Sequence, residues 1–111
     1  MNLISYEQFE QVELRSGTIV RAEEFQRARK PAYKIWADFG PLGILQTSAQ
    51  VTVHYTIEEL IGKPIVGCVN LGEKNIAGFL SQFLLVGFSD EQGAICLVSA
   101  DHKVPNGQKL H

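Results

Sequence analysis

The sequence predicts an all-β protein with short helices, in which five strands close into a barrel between an N-terminal helix and a C-terminal extension. Three observations carry this prediction. Apolar and polar residues alternate along several stretches, which is the period of a half-buried strand. Glycine and proline interrupt these stretches at short intervals. Only two segments carry helix-start signals, and both segments are short.

In chain order, the predicted elements are a helix at 5–11, strands at 12–24, 32–40 and 44–51, a helix at 56–62, and strands at 64–71, 80–88 and 94–99. Residues 72–78 are predicted to form a loop. Both helices begin with a capping box, in which two side chains satisfy free backbone groups of the first turn. Ser5 and Gln8 form the first box, and Thr56 and Glu59 form the second.

Two strands indicate which side chains face the interior. The second strand alternates most clearly, with an apolar and a polar set: Tyr33, Ile35, Ala37 and Phe39 against Lys34, Trp36 and Asp38. The first strand divides in the same way: Leu14, Thr18, Val20 and Ala22 against Glu13, Arg15 and Arg21. Gly17 is expected to mark a bend or a bulge in that first strand.

The order of the elements is three strands, a short helix and then further strands. This is the order of the five-stranded Greek-key barrel called the OB fold. A doubly wound parallel sheet would alternate strands and helices along the whole chain. An immunoglobulin-like sandwich would require more strands and no helix. The order therefore favours the OB barrel over both alternatives.

The composition is that of a single soluble domain over residues 1–111. Apolar residues make up 45% of the chain and charged residues 20%. Cys68 and Cys96 lie in apolar runs, which favours buried free thiols over a disulfide and suits a reducing compartment. No signal peptide or membrane-spanning stretch is recognisable, so we expect a cytoplasmic protein that does not associate with membranes.

The basic residues are concentrated near the start of the chain, although the net charge is −2. Six of the ten lie in the first third, and the densest group is formed by Arg27, Arg29 and Lys30. Such a patch can bind phosphate groups even on an acidic protein. Charge alone leaves a solvated loop as the simpler interpretation.

No constellation of catalytic or metal-binding residues is visible in the sequence. His54, His102 and His111 are widely spaced and have no histidine or cysteine partner at metal-ligand spacing. No glycine-rich phosphate loop ends in Lys-Ser or Lys-Thr, and no Gly-x-Ser-x-Gly nucleophile motif occurs. We therefore expect no enzymatic activity, no cofactor and no metal site.

Eight short motifs occur in order across residues 7–110. They lie at 15–20, 28–34, 38–40, 48–50, 55–63, 69–71, 76–81 and 104–107. Each motif is weak alone, but together they resemble the tRNA-binding domain family, and within it the CsaA branch. The same family forms appended domains of methionyl- and phenylalanyl-tRNA synthetases.

The resemblance implies an OB barrel whose terminal extensions, residues 1–11 and 99–111, build a twofold homodimer. It also implies tRNA binding that depends on RNA structure and is largely independent of sequence. CsaA proteins are further assigned a chaperone role in protein export, so an unfolded polypeptide is the alternative ligand. Because a barrel is complete near residue 98, the terminal segments are expected to have no role within it and to need a partner's cover.

The candidate tRNA site combines basic, aromatic and uncharged polar side chains around the second and third strands. Basic groups neutralise phosphates, hydroxyls and amides reach sugars or unpaired bases, and an exposed indole stacks a base. The candidates are Arg27, Arg29, Lys30, Lys34, Trp36, Ser48, Gln50, Asn70, Lys74 and Ser81. Structural roles remain open for some of them: Asn70 and Ser81 would satisfy backbone groups, Gln50 would cap a strand end, and Trp36 would pack under a loop or at the dimer interface.

Overall fold

The structure, a computed structural model, describes residues 1–111. Two short helices, α1 and α2, are Tyr6–Glu10 and Ile57–Leu60. The strands β1 to β9 are Leu14–Glu24, Tyr33–Asp38, Ile44–Ala49, Pro64–Cys68, Lys74–Ile76, Phe79–Ser81, Leu84–Leu85, Gly87–Ser89 and Ile95–Leu97. Neither helix has the length and apolar character needed to cross a membrane.

Five of the strands form one antiparallel sheet in the order β3-β2-β1-β4-β7. The sheet curls until its two ends approach each other, where the Gln82 N–H donates to the Gln46 carbonyl at 2.8 Å. Beside this bond, the Thr47 hydroxyl donates to the Phe83 carbonyl at 2.6 Å. The nearly closed five-stranded barrel with only two short helices confirms the predicted OB-type fold.

The barrel interior is filled by the apolar set that alternation predicted on β2. Tyr33, Ile35, Ala37 and Phe39 all belong to the buried core. Phe39 packs edge-on against Phe83, with 4.9 Å between the ring centres. The predicted polar set of β2 faces outwards and is half-buried: Lys34, Trp36 and Asp38.

Both predicted capping boxes are present. In α1, the Ser5 hydroxyl accepts from the Gln8 N–H at 3.0 Å, and the Gln8 side chain accepts from the Ser5 N–H at 2.8 Å. In α2, Thr56 and Glu59 make the equivalent pair of bonds at 3.2 and 3.0 Å. The Thr56 backbone N–H and hydroxyl hold the pKa of the Glu59 carboxyl below its ordinary value. Both helices are shorter than predicted, with 5 and 4 residues.

Strand β1 contains a bulge at Val20, which corrects the predicted assignment of its faces. Ile19 and Arg21 pair with neighbouring residues of β2, so Val20 is the extra residue between them. The alternation reverses at this point, because Ile19 is fully buried while Val20 is 44% exposed. The prediction that Leu14, Thr18 and Val20 share a face with Ala22 was wrong, because Gly17 and Ile19 are the buried residues before the bulge. The register shift lies at Val20 rather than at Gly17.

The predicted strand at 80–88 is wrong as a single element, because its residues pair with three different strands. β6 pairs with β5, β7 pairs with β4, and β8 pairs with β9. The β5–β6 hairpin begins inside the predicted loop 72–78, and its turn residues Ala77 and Gly78 have φ values of 49° and 84°. Positive φ at both positions suits the twist of a two-residue hairpin turn. Gly72 and Gly78 flank β5, so the local pattern favoured a loop.

The C-terminal tail pairs with the first half of β1. The Ser16 N–H donates to the Gln108 carbonyl at 2.9 Å, and the Gly107 N–H donates to the Ser16 carbonyl at 2.7 Å. The Leu110 N–H donates to the Leu14 carbonyl at 2.8 Å. The expectation that the tail has no role within the barrel is therefore wrong, because the tail extends the sheet beside the part of β1 that β2 does not reach.

The two cysteines are free thiols, as the sequence predicted. Cys68 is buried in β4. Cys96 in β9 is only half-buried, which corrects the expectation that both thiols are buried. The two side chains therefore differ in how far solvent can reach them, although both sequences around them are apolar.

Candidate nucleic-acid interface

A groove of about 960 Å³ lies between the basic loop 25–32, the end of β3 and the β8–β9 hairpin. The exposed side chains Arg29 and Lys30 line it, together with Ser48 and Gln50. The larger apolar side chains of its lining are Phe25, Val51, Ile76, Leu84, Leu85, Val86 and Ile95. Four of the predicted site residues are thus brought together around one concave surface, called here the groove.

The outer face of β2 and β3 adjoins the groove at Ser48. Lys34 lies opposite Ser48, and Trp36 lies opposite Gln46, in the register of these two strands. Along β2, Lys34 and Trp36 alternate with core residues, so their side chains point away from the interior. Ser48 and Gln46 lie opposite them on β3 and therefore share the same outer face. The candidate surface therefore continues from the groove onto the sheet.

Three aromatic rings and two cations cover this outer face and form what we call the aromatic cluster. Phe79 of β6 packs edge-on against Phe25 and Trp36, with 5.6 and 5.8 Å between ring centres. The Lys34 ammonium lies 5.1 Å from the centres of both phenylalanine rings. The guanidinium of Arg21 lies over Trp36. Cations at such distances are attracted by the ring faces.

Four residues of the outer face and its aromatic cluster were not among the predicted site residues: Arg21, Phe25, Gln46 and Phe79. Arg21 reaches Trp36 because the β1 bulge shifts it into register with that residue. Gln46 accepts from the Trp36 indole N–H at 3.2 Å, and its own amide N–H donates to the Leu80 carbonyl at 2.8 Å. The alternation of β3 could have indicated Gln46 beside Ser48, whereas no local pattern indicates Phe79.

Ser81 lies beside Ser48 but serves the join between β6 and β3. The Ser81 hydroxyl accepts from the Ser48 N–H at 3.1 Å, and the two hydroxyl oxygens are 3.3 Å apart. Ser81 is 8% exposed, so its hydroxyl is turned inward rather than presented to a ligand. Ser81 therefore satisfies a backbone group, which is the structural role that the sequence left open for this residue.

Asn70 lies away from the groove, between the end of β4 and the segment that follows α1. Its side-chain oxygen accepts from the Glu13 N–H at 3.0 Å. Its side-chain amide donates to the Gln11 carbonyl at 2.7 Å. Both ends of the Asn70 amide are therefore engaged with backbone groups. This is the structural role that the sequence left open for Asn70.

The remaining basic candidates are exposed or half-buried side chains around the same surface. A Cβ atom at Gly78 would lie 3.6 Å from an Arg27 guanidinium nitrogen, so the basic loop and the β5–β6 turn are neighbours. Lys74 lies opposite Ser81 in the same hairpin. None of the basic candidates makes an ion pair: Arg27, Arg29, Lys30, Lys34 and Lys74. Their charges are consequently available to an anionic ligand.

The barrel and its groove belong to the class of OB-type domains. Residues 14–109 match the family described as "Putative tRNA binding domain", and the chain belongs to that family. The match confirms the family resemblance carried by the eight sequence motifs.

Curated relatives with this domain are much longer proteins. The chain is 35% identical over 107 residues to a methionine–tRNA ligase of Chlorobium chlorochromatii (strain CaD3), covering 96% of this chain and 15% of that protein. It is 35% identical over 108 residues to the methionine–tRNA ligase of Bacillus subtilis (strain 168), covering 96% of this chain and 16% of that protein. The chain thus spans less than a fifth of these enzymes.

Solved structures of similar length superimpose over nearly the whole chain. The chaperone CsaA of Bacillus anthracis str. Ames has a TM-score of 0.93 at 43% identity, covering 99% of this chain and 100% of that one. The CsaA chaperone protein of Picrophilus torridus has a TM-score of 0.91 at 36% identity, covering 98% and 100%. A MetRS related protein of Pyrococcus horikoshii has a TM-score of 0.87 at 28% identity and covers both chains fully.

Proposed function

We propose that this chain binds tRNA as a homodimer, recognises RNA structure with little dependence on sequence, and catalyses no reaction. The observation that carries the proposal is the set of unpaired basic side chains around a groove that continues into the aromatic cluster. Membership of a family described by tRNA binding supports it. A cytoplasmic location follows from a tRNA ligand and from two free thiols.

The groove and the aromatic cluster offer two kinds of contact to RNA. Arg29 and Lys30 can neutralise backbone phosphates, and such contacts position RNA without reading its sequence. The half-buried rings of Trp36 and Phe79 can stack unpaired bases of any identity, because every base has a π-face. Gln50 and Ser48 can hydrogen-bond sugar hydroxyls, which distinguish RNA from DNA. This combination favours a ligand with both duplex and unpaired regions.

The homodimer is supported by the apolar surface at the start of the chain. Leu3, Ile4 and Tyr6 are 93%, 66% and 67% exposed, and α1 buries none of its residues. A second copy of the same segment is the simplest cover, because most homo-oligomers are twofold dimers. Sedimentation equilibrium should give twice the chain mass of 12.3 kDa. A single species at the chain mass, at micromolar concentration, would refute the dimer.

The test of tRNA binding is a competition experiment. Labelled total tRNA should be bound by the purified protein, as measured by fluorescence anisotropy. Unlabelled tRNAs of different identity should compete equally, whereas single-stranded DNA of the same length should compete poorly. Equal competition by any polyanion would reduce the proposal to non-specific charge attraction, and no binding at all would refute it.

A second candidate ligand is an unfolded polypeptide. The specific observation in its favour is the apolar part of the groove, where Leu84, Val86 and Ile95 line one side. Two similar structures carry the name chaperone CsaA. An unfolded, reduced polypeptide should then displace labelled tRNA, and the Leu84→Ser substitution should weaken polypeptide binding while leaving the basic loop intact. Absence of displacement at saturating polypeptide would remove this candidate.

A further inference from the structure

Three side chains of metal-ligand type meet on the side of the barrel that carries the β8–β9 hairpin. They are His54, Asp90 and Cys96, and their ligand atoms all lie within 4.8 Å of one another. His54 follows β3, Asp90 follows β8, and Cys96 lies in β9. Because the histidines are widely spaced along the chain, the sequence predicted no cysteine or histidine partner for any of them. In the fold, His54 lies close to Cys96.

The carboxylate of Asp90 is held in a fixed orientation. One oxygen, Oδ1, accepts from the backbone N–H groups of Gln92 and Ala94, both at 2.9 Å. The other oxygen, Oδ2, lies 2.6 Å from Nε2 of His54. Hydrogen bonds to the outer atoms of a ligand are the usual means of aiming it at a metal. The hydrogen bonds within the turn thus leave Oδ2 directed at His54.

We infer that His54, Asp90 and Cys96 form a binding site for one Zn²⁺ ion. Imidazole nitrogen, carboxylate oxygen and thiolate sulfur are the three ligand types that zinc accepts, whereas Ca²⁺ and Mg²⁺ prefer oxygen alone. The side chains of His54 and Asp90 are 41% and 26% exposed, so the cluster is open to solvent on one side. Water can therefore supply the fourth ligand of a tetrahedral ion.

The distances allow this site after small side-chain movements. Zinc lies about 2.0–2.2 Å from nitrogen and oxygen ligands and about 2.3 Å from sulfur, so neighbouring ligand atoms in a tetrahedron are about 3.3–3.7 Å apart. The His54–Asp90 contact must open by under about 1 Å, and the longest separation must close by about 1 Å. The Cys96 thiol loses its proton to solvent as the Zn–S bond forms.

The site would connect the two sides of the groove. Gly87, Gly93 and Ile95 of the β8–β9 hairpin line the groove, as do Gln50 and Val51 just before His54. An ion held by His54, Asp90 and Cys96 would tie these segments together. Zinc binding should therefore slow amide hydrogen exchange in the β8–β9 hairpin, without any RNA present.

The experiment uses untagged, reduced protein and the metal alone. Titration with Co²⁺, which replaces Zn²⁺ and is visible, should give a thiolate-to-cobalt charge-transfer band that saturates at one ion per chain. Zn²⁺ should abolish the band by displacing Co²⁺. Calorimetric titration with Zn²⁺ should give the same stoichiometry.

The chain supplies matched control variants. Cys96→Ala should abolish the charge-transfer band, whereas Cys68→Ala, at the buried thiol, should keep it. Replacing a residue that only hydrogen-bonds to a metal ligand lowers metal affinity by roughly 10–100-fold. His54→Ala removes a ligand itself, so it should lower zinc affinity by more than this. His102→Ala should leave the affinity unchanged. Circular dichroism checks that each variant is folded. If Cys96→Ala does not fold, the zinc affinity of His54→Ala still tests the site.

The inference is overturned if wild-type protein shows no charge-transfer band and no stoichiometric uptake of Zn²⁺. It is equally overturned if His54→Ala and His102→Ala lose affinity alike, because the ion would then bind elsewhere. Neither result bears on tRNA binding, since no RNA enters the measurement. The zinc site and the proposed function can therefore fail separately.

Discussion

Arg21 lies across strands β1 and β2 from Trp36, with its guanidinium carbon 4.5 Å from the ring centre. On the other side, the Trp36 indole N–H donates to Gln46 on β3 at 3.2 Å. The single tryptophan of the chain is thus held between two neighbouring strands. Its emission therefore reports on the outer face of the barrel, beside the groove.

Replacing Trp36 with alanine should weaken tRNA binding by about 1–3 kcal/mol, the range for losing one base-stacking ring. Trp36→Phe should retain most of the affinity, because it keeps a ring beside Phe79. In wild-type protein, saturating tRNA should change the tryptophan emission. Fluorescence and anisotropy titrations measure these effects. If folded Trp36→Ala binds tRNA as wild type does, the indole serves only packing.

The contact of Glu13 with Arg15 and Lys109 should make the docking of the tail depend on pH. Hydrogen bonds from Arg15 and then Lys109 hold the pKa of the Glu13 carboxyl below its ordinary value of 4.5. A lowered pKa in the folded state contributes stability that is present above pH 4.5 and is lost as pH falls through the folded value.

Glu13→Gln should therefore be less stable than wild type near neutral pH, and the two proteins should converge as the solution is acidified below pH 4.5. Urea unfolding at a series of pH values measures this difference, and amide exchange at Leu110 reports the tail directly. A constant difference between the two proteins across the whole acidic range would show that the ion pairs contribute nothing.

Gly17 is required by the close approach of Phe39. A Cβ atom at Gly17 would lie 2.8 Å from a carbon of the Phe39 ring, which is fully buried. Gly17→Ala should therefore lower the free energy of unfolding by about 1–3 kcal/mol, the usual cost of overpacking. In a Phe39→Leu background the same substitution should cost less, because the ring is gone. Equal costs in both backgrounds, measured by urea unfolding, would contradict this packing argument.

The elements predicted correctly depend on short-range signals. A capping box joins two residues three positions apart, as in Ser5 and Gln8. Its hydrogen bonds are local, so they do not depend on how distant parts of the chain pack. Strand β2 pairs regularly with β3 along its length, so its alternation survives intact. The face of β1 could not be predicted in this way, since the bulge at Val20 appears only in its register with β2.

The site could be predicted in part for a related reason. An OB barrel places the loop before β2 close to the end of β3, so Arg29, Lys30 and Gln50 meet in the groove. Asn70 instead finds its partners Glu13 and Gln11, which are 57 and 59 residues away along the chain. Hydrogen bonds from a side chain to backbone groups so far away along the chain leave no local pattern in the sequence.

Replacing Arg29 and Lys30 together with alanine should weaken tRNA binding and reduce its dependence on salt. Each phosphate contact contributes roughly −0.7 to −0.9 to the slope of log affinity against log salt concentration. The slope of the double variant should therefore be flatter by about 1 or more. Both side chains are exposed and unpaired, so the free energy of unfolding should change by no more than about 0.5 kcal/mol.

The matched control is the double variant Lys63→Ala, Lys103→Ala, which removes the same charge from outside the groove. If the control flattens the salt slope as much, the attraction comes from net charge and not from the basic loop. If the Arg29 and Lys30 variant keeps wild-type affinity and slope while folded, the groove is not the tRNA site. Polypeptide binding would then be the better account of the groove, because its apolar walls require no phosphate and predict weak salt dependence.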